Sequence, residues 1–151
     1  MTEPGTEPAV RVARFEELTT AQLYALLRLR VDVFVVEQEC PYPELDGRDD
    51  EPGTEHLWVE VDGAVAATVR ILTDPDTMII GRVATADGHR GHGYAAVLVR
   101  EAITRIGGRR IRIGAQAHLE GWYGRFGFVR SGPDYDEDGI RHLPMVREGS
   151  V

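Results

Sequence analysis

A glycine-containing turn at residues 90–95 (RGHGYA) joins an apolar run of strand type to a segment with helical periodicity. The apolar run covers residues 78–84, and apolar side chains recur on one stripe over residues 95–106 until two glycines end the pattern. Two glycines at the start of a helix leave backbone N–H groups uncovered, and such groups bind phosphate oxygens. The basic side chain of Arg90 adds a charge-assisted contact. The turn therefore predicts a site for a phosphorylated ligand, although its composition alone fits a surface helix with a glycine-rich entry equally well.

The composition restricts the class of protein. The chain has 151 residues, of which 42% are hydrophobic and 28% charged, which is enough for one domain with a real core. Its net charge of −8 argues against a nucleic-acid partner, because such proteins carry a basic face. A single cysteine excludes an internal disulfide, and no run has the length of a membrane span or the pattern of a signal peptide. We expect a cytoplasmic protein with no membrane, no nucleic-acid partner and no metal.

The order of periodic segments predicts one domain over residues 9–151, after a polar tail at residues 1–8 that we expect to be disordered. Thr19 and Gln22 form a capping box before the first helix, and Asp62-Gly63 is a two-residue hairpin turn. Prolines, glycines and acidic residues predict loops at residues 40–55 and 132–139. The resulting order, β-α-β-β-β-α-β-α-β-β, predicts an α+β fold with a mostly antiparallel sheet. The strand patterns lie at residues 10–15, 57–61, 64–72, 78–84, 110–115, 128–131 and 142–147, and a short helical pattern lies at residues 119–126.

Two motifs carry a resemblance to a known family. The spacing of Arg90, Gly93 and Ala95 matches a cofactor motif of a basic residue, two residues, Gly, one residue and then Gly or Ala. Further along, Tyr123 stands four residues before a Gly-Phe pair. The first motif lies between a predicted strand and a predicted helix, and the second lies on the short helix that follows. In this order and in these positions, the two motifs resemble the GNAT family of acyl-CoA-dependent N-acyltransferases. Segments 29–38, 40–42, 44–47, 114–118 and 137–140 with His142 are similar to its ElaA-type branch.

The resemblance implies a fold and a donor. The implied fold has three layers, α/β/α, with a mixed, mostly antiparallel sheet of six to seven strands and about four helices. The implied activity is the transfer of an acetyl group from acetyl-CoA to a primary amine of a small molecule or peptide. GNAT proteins are often dimers, so a homodimer is compatible with the resemblance. The cofactor-binding residues that it implies are Val83, Ala84, Thr85, Arg90, Gly91, His92, Gly93, Tyr94, Ala95 and Gln116, the last standing where the family often has Asn.

The chemistry of amine acylation needs an acid and favours a base. Deprotonating a lysine-like amine at pH 7 costs roughly 4.6 kcal/mol, so a group that accepts this proton is valuable. The resemblance implies that Tyr123 donates a proton to the leaving thiolate, while backbone N–H groups at residues 83–85 serve the oxyanion. Our candidate for the base is Glu37, which follows an apolar run where burial would raise its pKa. His118 and His142 are alternatives, although each is more often a satisfied hydrogen-bonding residue.

The acceptor side is predicted from charged residues between positions 30 and 51. Arg30 lies on the apolar stripe of the first helix, where a guanidinium is costly unless it is paired or reaches an edge. Five carboxylates crowd residues 44–51, and we expect Glu44 and Asp46 to select a cationic substrate. Cys40 is expected to be a packed thiol without a covalent role.

Two other functions fit the same residues. Arg30 with Phe34, followed by Glu44, Asp46 and Asp49, resembles the acyl-homoserine-lactone synthases, which use the same fold with a methionine-derived sulfonium substrate. The chain is short for that family, and the motif at residues 90–95 argues against it. The second alternative is a domain that binds acyl-CoA without catalysis, which the presence of Tyr123 disfavours.

Overall fold

The structure is a computed structural model that describes residues 8–149. The tail predicted at residues 1–8 therefore lies outside the described residues, apart from Pro8. None of the helices in the described part of the chain is long and apolar enough to cross a membrane. The strands are β1 (Arg11–Arg14), β2 (Glu55–Val61), β3 (Ala64–Thr73), β4 (Met78–Thr85), β5 (Ile111–Gln116), β6 (Val129–Arg130), β7 (Tyr135–Glu137) and β8 (Ile140–Arg147), and the α-helices are α1 (Thr20–Val31), α2 (Tyr94–Ile106) and α3 (Glu120–Gly124).

Local sequence signals explain where these elements begin and end. The hydroxyl of Thr19 accepts a hydrogen bond from the Gln22 N–H, and the Gln22 side chain returns one to the Thr19 N–H, as the capping box predicts. The turn between β2 and β3 has Asp62 and Gly63 at φ 51° and 80°, the left-handed pair that a two-residue hairpin turn requires. Gly107 ends α2 at φ 76°.

The strands form one mixed sheet in the order β1-β2-β3-β4-β5-β8-β6, with β7 pairing on β8. All neighbours are antiparallel except β4 and β5, which run parallel. The predicted α+β class is confirmed, and residues 8–149 contain eight strands where six to seven were predicted and three α-helices where about four helices were predicted. The additional strand is β7, in the segment predicted to be a loop. Asp138 and Gly139, at φ 52° and 83°, form the tight turn that pairs β7 with β8.

Helices cover both faces of the sheet, which gives three layers. Because side chains alternate along a strand, Leu57 and Val59 of β2 pack with Leu98 of α2 in the main core. Between them, Trp58 points to the opposite face and packs with Leu26 of α1. The α2 face also carries Tyr123 of α3. We refer below to the α1 face and the α2 face of the sheet.

A β-bulge interrupts β4 near its centre. Ile80 packs on the α2 face and Ala84 on the α1 face, although an even spacing in a regular strand keeps both side chains on one face. The pairing register shifts between Gly81, which faces Arg70, and Ala84, which faces Thr68. One additional residue of β4 is accommodated there, and Arg82 adopts a left-handed φ of 54°. The bulge therefore changes which face the second half of β4 presents.

Candidate active site

A cavity separates the ends of the two parallel strands. Pairing between β4 and β5 is confined to Met78 with Ile111 and Ile79 with Arg112. Beyond these pairs, residues 81–85 of β4 form one wall of a cavity, and Gly114 and Gln116 of β5 lie on the other. Its volume is about 730 Å³, within the range of about 300–1,000 Å³ that is typical of small-molecule sites.

The cavity is lined from both faces of the sheet. Tyr123, on the α2 face, belongs to the main core and lines the cavity. Cys40 and Tyr42, in the loop that follows α1, line it as well. His142 of β8 precedes Leu143 of the main core, so its side chain points to the α1 face. The gap between β4 and β5 thus connects the two faces.

The turn at residues 90–93 leads from the β4 wall into α2. Gly91 and Gly93 have φ values of 84° and 77°, which glycine adopts without strain. Gly93 is the N-cap of α2 and has no side chain to cap it. The first helical bond runs from the Val97 N–H to the Gly93 carbonyl (3.1 Å), so the N–H groups at positions 94–96 have no partner in the helix. A Cβ atom added at either glycine would meet no atom within 4 Å.

This arrangement fits the phosphates of coenzyme A. The three N–H groups at positions 94–96 have no helical partners and lie at a helix N-terminus that lines the cavity, as Arg90 does. Of the ten residues predicted to bind the cofactor, nine line the cavity. His92 is not among them, since it is exposed and its ring stacks on that of Tyr94 at 5.6 Å. Gln116 donates to Gln38 Oε1 at 3.3 Å, so its amide also bridges to the segment after α1.

Tyr123 lies where its hydroxyl can reach the cavity. The residue is 7% exposed, and its ring packs edge-on against Trp122 and Phe128, with centroids 4.9 and 6.1 Å apart. Burial raises the pKa of the Tyr123 phenol to about 12. The hydroxyl therefore stays protonated at neutral pH and is suited to donating a proton.

Glu37 contacts the turn at residues 90–93 through the side chain of Arg90. Its carboxylate accepts a hydrogen bond from Arg90 Nη2 at 2.7 Å, and its side chain is 44% exposed. The Glu37 carboxylate is therefore paired and partly exposed, and its role as the base stays a prediction. Arg90 also donates to the Thr85 carbonyl at 3.3 Å, which ties the turn to the end of β4. Glu37 lines the cavity but is paired with the side chain predicted to bind phosphate.

The residues predicted for the acceptor side form an ionic network that is largely buried. Arg30 is 1% exposed; its Nε donates to Glu44 Oε2 at 2.7 Å and its Nη1 to Asp49 Oδ1 at 2.6 Å. Asp46 accepts two hydrogen bonds from Arg70, each 2.9 Å long. None of Arg30, Glu44 and Asp46 lines the cavity. The guanidiniums of Arg30, Arg70 and Arg82 pair with the carboxylates of Glu44, Asp46 and Asp49. Selection of a cationic substrate by Glu44 and Asp46 stays a prediction.

Sequence reasoning missed the remaining members of this network, Arg70, Arg82 and Tyr42. Arg82, at the bulge, donates to Glu44 Oε2 at 2.8 Å, and its guanidinium lies 5.6 Å from the ring centre of Tyr42. The Tyr42 hydroxyl donates to the other oxygen of Glu44, and burial together with this bond raises the pKa of the phenol. The sequence does contain a signal for this network, since Arg70 and Arg82 stand inside the mostly apolar strands β3 and β4. A buried guanidinium requires carboxylate partners, so these two arginines indicate that acidic side chains lie nearby.

Comparison with known proteins agrees with this geometry. A family model described as an acetyltransferase (GNAT) domain matches residues 26–148. The UPF0039 protein Rv2851c of Mycobacterium tuberculosis is 45% identical over 147 residues, 94% of this chain and 94% of that protein. Protein ElaA of Escherichia coli is 39% identical over 139 residues, 87% of this chain and 91% of ElaA.

Solved structures share the whole fold. A crystal structure of an acyl-CoA N-acyltransferase from Pseudomonas aeruginosa matches with a TM-score of 0.87 and 40% identity, covering 93% of this chain and 99% of that one. The crystal structure of E. coli ElaA matches with a TM-score of 0.88 and 36% identity, covering 94% of this chain and all of that one. Because the family model spans most of the chain and the relatives cover nearly all of it, this protein belongs to the GNAT family of acyltransferases, in its ElaA-type branch.

Proposed function

We propose that the chain transfers an acetyl group from acetyl-CoA to a primary amine of a small molecule or peptide, directly and within a ternary complex. The observation that carries this proposal is the cavity between β4 and β5, which is lined from both faces of the sheet. A donor held at the α2 N-terminus and an acceptor entering from the α1 face can meet in that gap, so no acyl-enzyme is required. Cys40 supports this view, since burial raises the pKa of its thiol and makes it a poor nucleophile.

Residues on both walls would hold the donor. The turn at residues 90–93 and the N-terminus of α2 are suited to its phosphates, and the backbone of residues 83–85 is suited to pantetheine. Coenzyme A supplies an activated thioester when it is bound. The bulge in β4 interrupts the ladder with β3 beside this segment, which favours backbone N–H groups there as donors to an oxyanion.

Tyr123 supplies the acid in this proposal. A phenol with a pKa near 12 is a weak acid, so its contribution depends on its position next to the leaving sulfur. The aromatic packing on two sides holds the ring in place.

The test combines calorimetry with a thiol-release assay. Acetyl-CoA binding is measured by isothermal titration, and thiol release is measured over a panel of primary amines and peptides. We expect binding, thiol release with at least one amine, and a fall in kcat of about 100-fold in Tyr123→Phe with unchanged acetyl-CoA affinity. Tyr24→Phe, at an exposed position of α1, is the matched control and should behave as the wild type.

Two results would reject the proposal. Binding of acetyl-CoA without thiol release over the whole panel would indicate a binding domain without catalysis. Lactone formation from S-adenosylmethionine and an acyl donor would instead identify the homoserine-lactone chemistry.

A further inference from the structure

One histidine that lines the cavity has a contact that selects one tautomer of its neutral ring. Nδ1 of His142 lies 2.8 Å from the carbonyl oxygen of Ile140. A carbonyl oxygen can only accept a hydrogen bond, so Nδ1 carries the proton in this contact. In the neutral ring, Nε2 then has a free lone pair and is available as a base.

Neighbouring strands fix the orientation of this ring. Tyr135 of β7 is the register partner of His142, and the two rings stack with centroids 5.7 Å apart and planes 24° apart. The Tyr135 hydroxyl extends over Gly114 of β5, where an added Cβ atom would come within 2.6 Å of it. The absence of a side chain at Gly114 thus makes room for the stack.

The environment of Nε2 combines a cavity with a carboxylate. His142 and Glu137 both line the cavity, and Nε2 lies 3.7 Å from Glu137 Oε2. The His142 side chain is 12% exposed, so it is largely removed from solvent but still in contact with it. Five other titratable residues lie on the elements around His142 or on the same wall of the cavity. They are Cys40, His118, Tyr135, Glu137 and Asp138.

We propose that His142 is the catalytic base that accepts the proton of the acceptor ammonium. This inference rests on the proposed function. Nε2 takes one proton from the ammonium group, which becomes a neutral amine with a free lone pair, and the imidazolium that forms is stabilised by Glu137. The proton then passes to water through the exposed edge of the ring, which restores the neutral base. Glu37 is less suited to this step because it is exposed and bound to Arg90 at the phosphate turn.

The test uses substitutions that keep the structural hydrogen bond. The amide of His142→Asn can still donate to the Ile140 carbonyl but has no titratable nitrogen. With an amine that the wild type acetylates, we expect kcat/KM near pH 7 to fall about 100-fold. The loss should shrink as the pH approaches the pKa of the free amine, because the neutral acceptor then needs no base. Imidazole added to the assay should restore part of the activity, and His142→Gln should behave like His142→Asn.

Controls separate this role from a structural one. His118→Asn, on the same cavity wall, should keep the acidic limb of the wild-type pH profile. Acetyl-CoA affinity and thermal stability of His142→Asn should match the wild type. In ¹⁵N-labelled wild-type protein without ligand, side-chain NMR of His142 should show protonated Nδ1 and unprotonated Nε2 at neutral pH.

The outcomes are distinguishable. If the wild type releases no thiol with any amine, the proposed function is rejected and this inference with it. If the wild type is active but His142→Asn keeps its pH profile, or if NMR shows the proton on Nε2, the inference alone is rejected.

Discussion

At the scale of single residues, the buried network around Arg30 illustrates what one charged side chain demands of a fold. The sequence predicts that Arg30 is either paired or reaches an edge of the stripe, and in the structure it is paired with Glu44 and Asp49. The partners lie 14 and 19 residues away, in a loop without regular structure. A buried guanidinium can be located from helical periodicity, whereas its partners depend on how a distant loop folds back over the helix.

Removing Arg30 should be costly, because Glu44 and Asp49 would keep their buried charges with fewer partners. We expect Arg30→Ala to lower the free energy of unfolding by about 3–5 kcal/mol, measured by urea denaturation. Arg28→Ala is the matched control on α1, since its exposed side chain makes only a 4.0 Å pair with Asp32; it should change stability by less than about 0.5 kcal/mol. A loss below about 1 kcal/mol for Arg30→Ala would contradict this account.

At the scale of elements, the β7–β8 hairpin shapes the wall of the cavity that we propose for the acceptor. Asp138-Gly139 provides the turn, and the pairing brings Tyr135 opposite His142 and over Gly114. The sequence shows an acidic, turn-rich segment there, and the three residues of β7 are all exposed. With no buried apolar face, β7 has no alternating pattern from which a strand could be predicted.

Gly114→Ala tests this arrangement, since the new Cβ atom would overlap the Tyr135 hydroxyl. We expect a loss of about 1–3 kcal/mol in the free energy of unfolding, as for other overpacked positions. Gly121→Ala is the control, because a Cβ atom there meets nothing within 4 Å and α3 favours alanine. In the double variant with Tyr135→Ala, the two effects should not add, because the overlap is gone. Additive effects would show that Gly114 matters for another reason.

At the scale of the whole molecule, the ionic network joins α1, β3, β4 and the loop between α1 and β2. Arg30, Arg70 and Arg82 belong to three different elements and share the carboxylates of one loop. The carboxylates of the network do not line the cavity, whereas its members Arg82 and Tyr42 do. Its charges therefore link the stability of the fold to pH.

Acid should destabilise the protein through this network. Burial would raise the pKa of Asp46, but hydrogen bonds from the Arg70 side chain and the Arg48 N–H outweigh it and lower the value to about 2. This stabilisation is complete above the unfolded pKa of about 3.9 and is lost as the pH falls through about 2. Urea denaturation between pH 6 and pH 2 should show a steeper acid loss for the wild type than for Asp46→Asn. Asp76→Asn, at an exposed turn, should keep the wild-type slope.

Much of the fold could be predicted from the sequence, because its signals are local. The capping box at Thr19, the turn at Asp62-Gly63 and the glycines before α2 each act within a few residues. Tyr123 was found by family resemblance, and the structure adds the aromatic packing that holds it. The wall of the cavity that we propose for the acceptor could not be predicted in the same way. Its groups come from the loop after α1, the bulge in β4 and the β7–β8 hairpin.

The sequence by itself determined the order and class of most elements, the entry to α2 and the family, because backbone preferences and side-chain periodicity act over short distances. Only the tertiary structure decided that Arg82 turns to the α1 face, that the carboxylates of residues 44–49 are neutralised, and that His142 lies beside the cavity. These features depend on contacts such as that between Cys40 and the Asp138 carbonyl, 98 residues apart. Such contacts form only when the strands have assembled into the sheet, and no local sequence pattern encodes them.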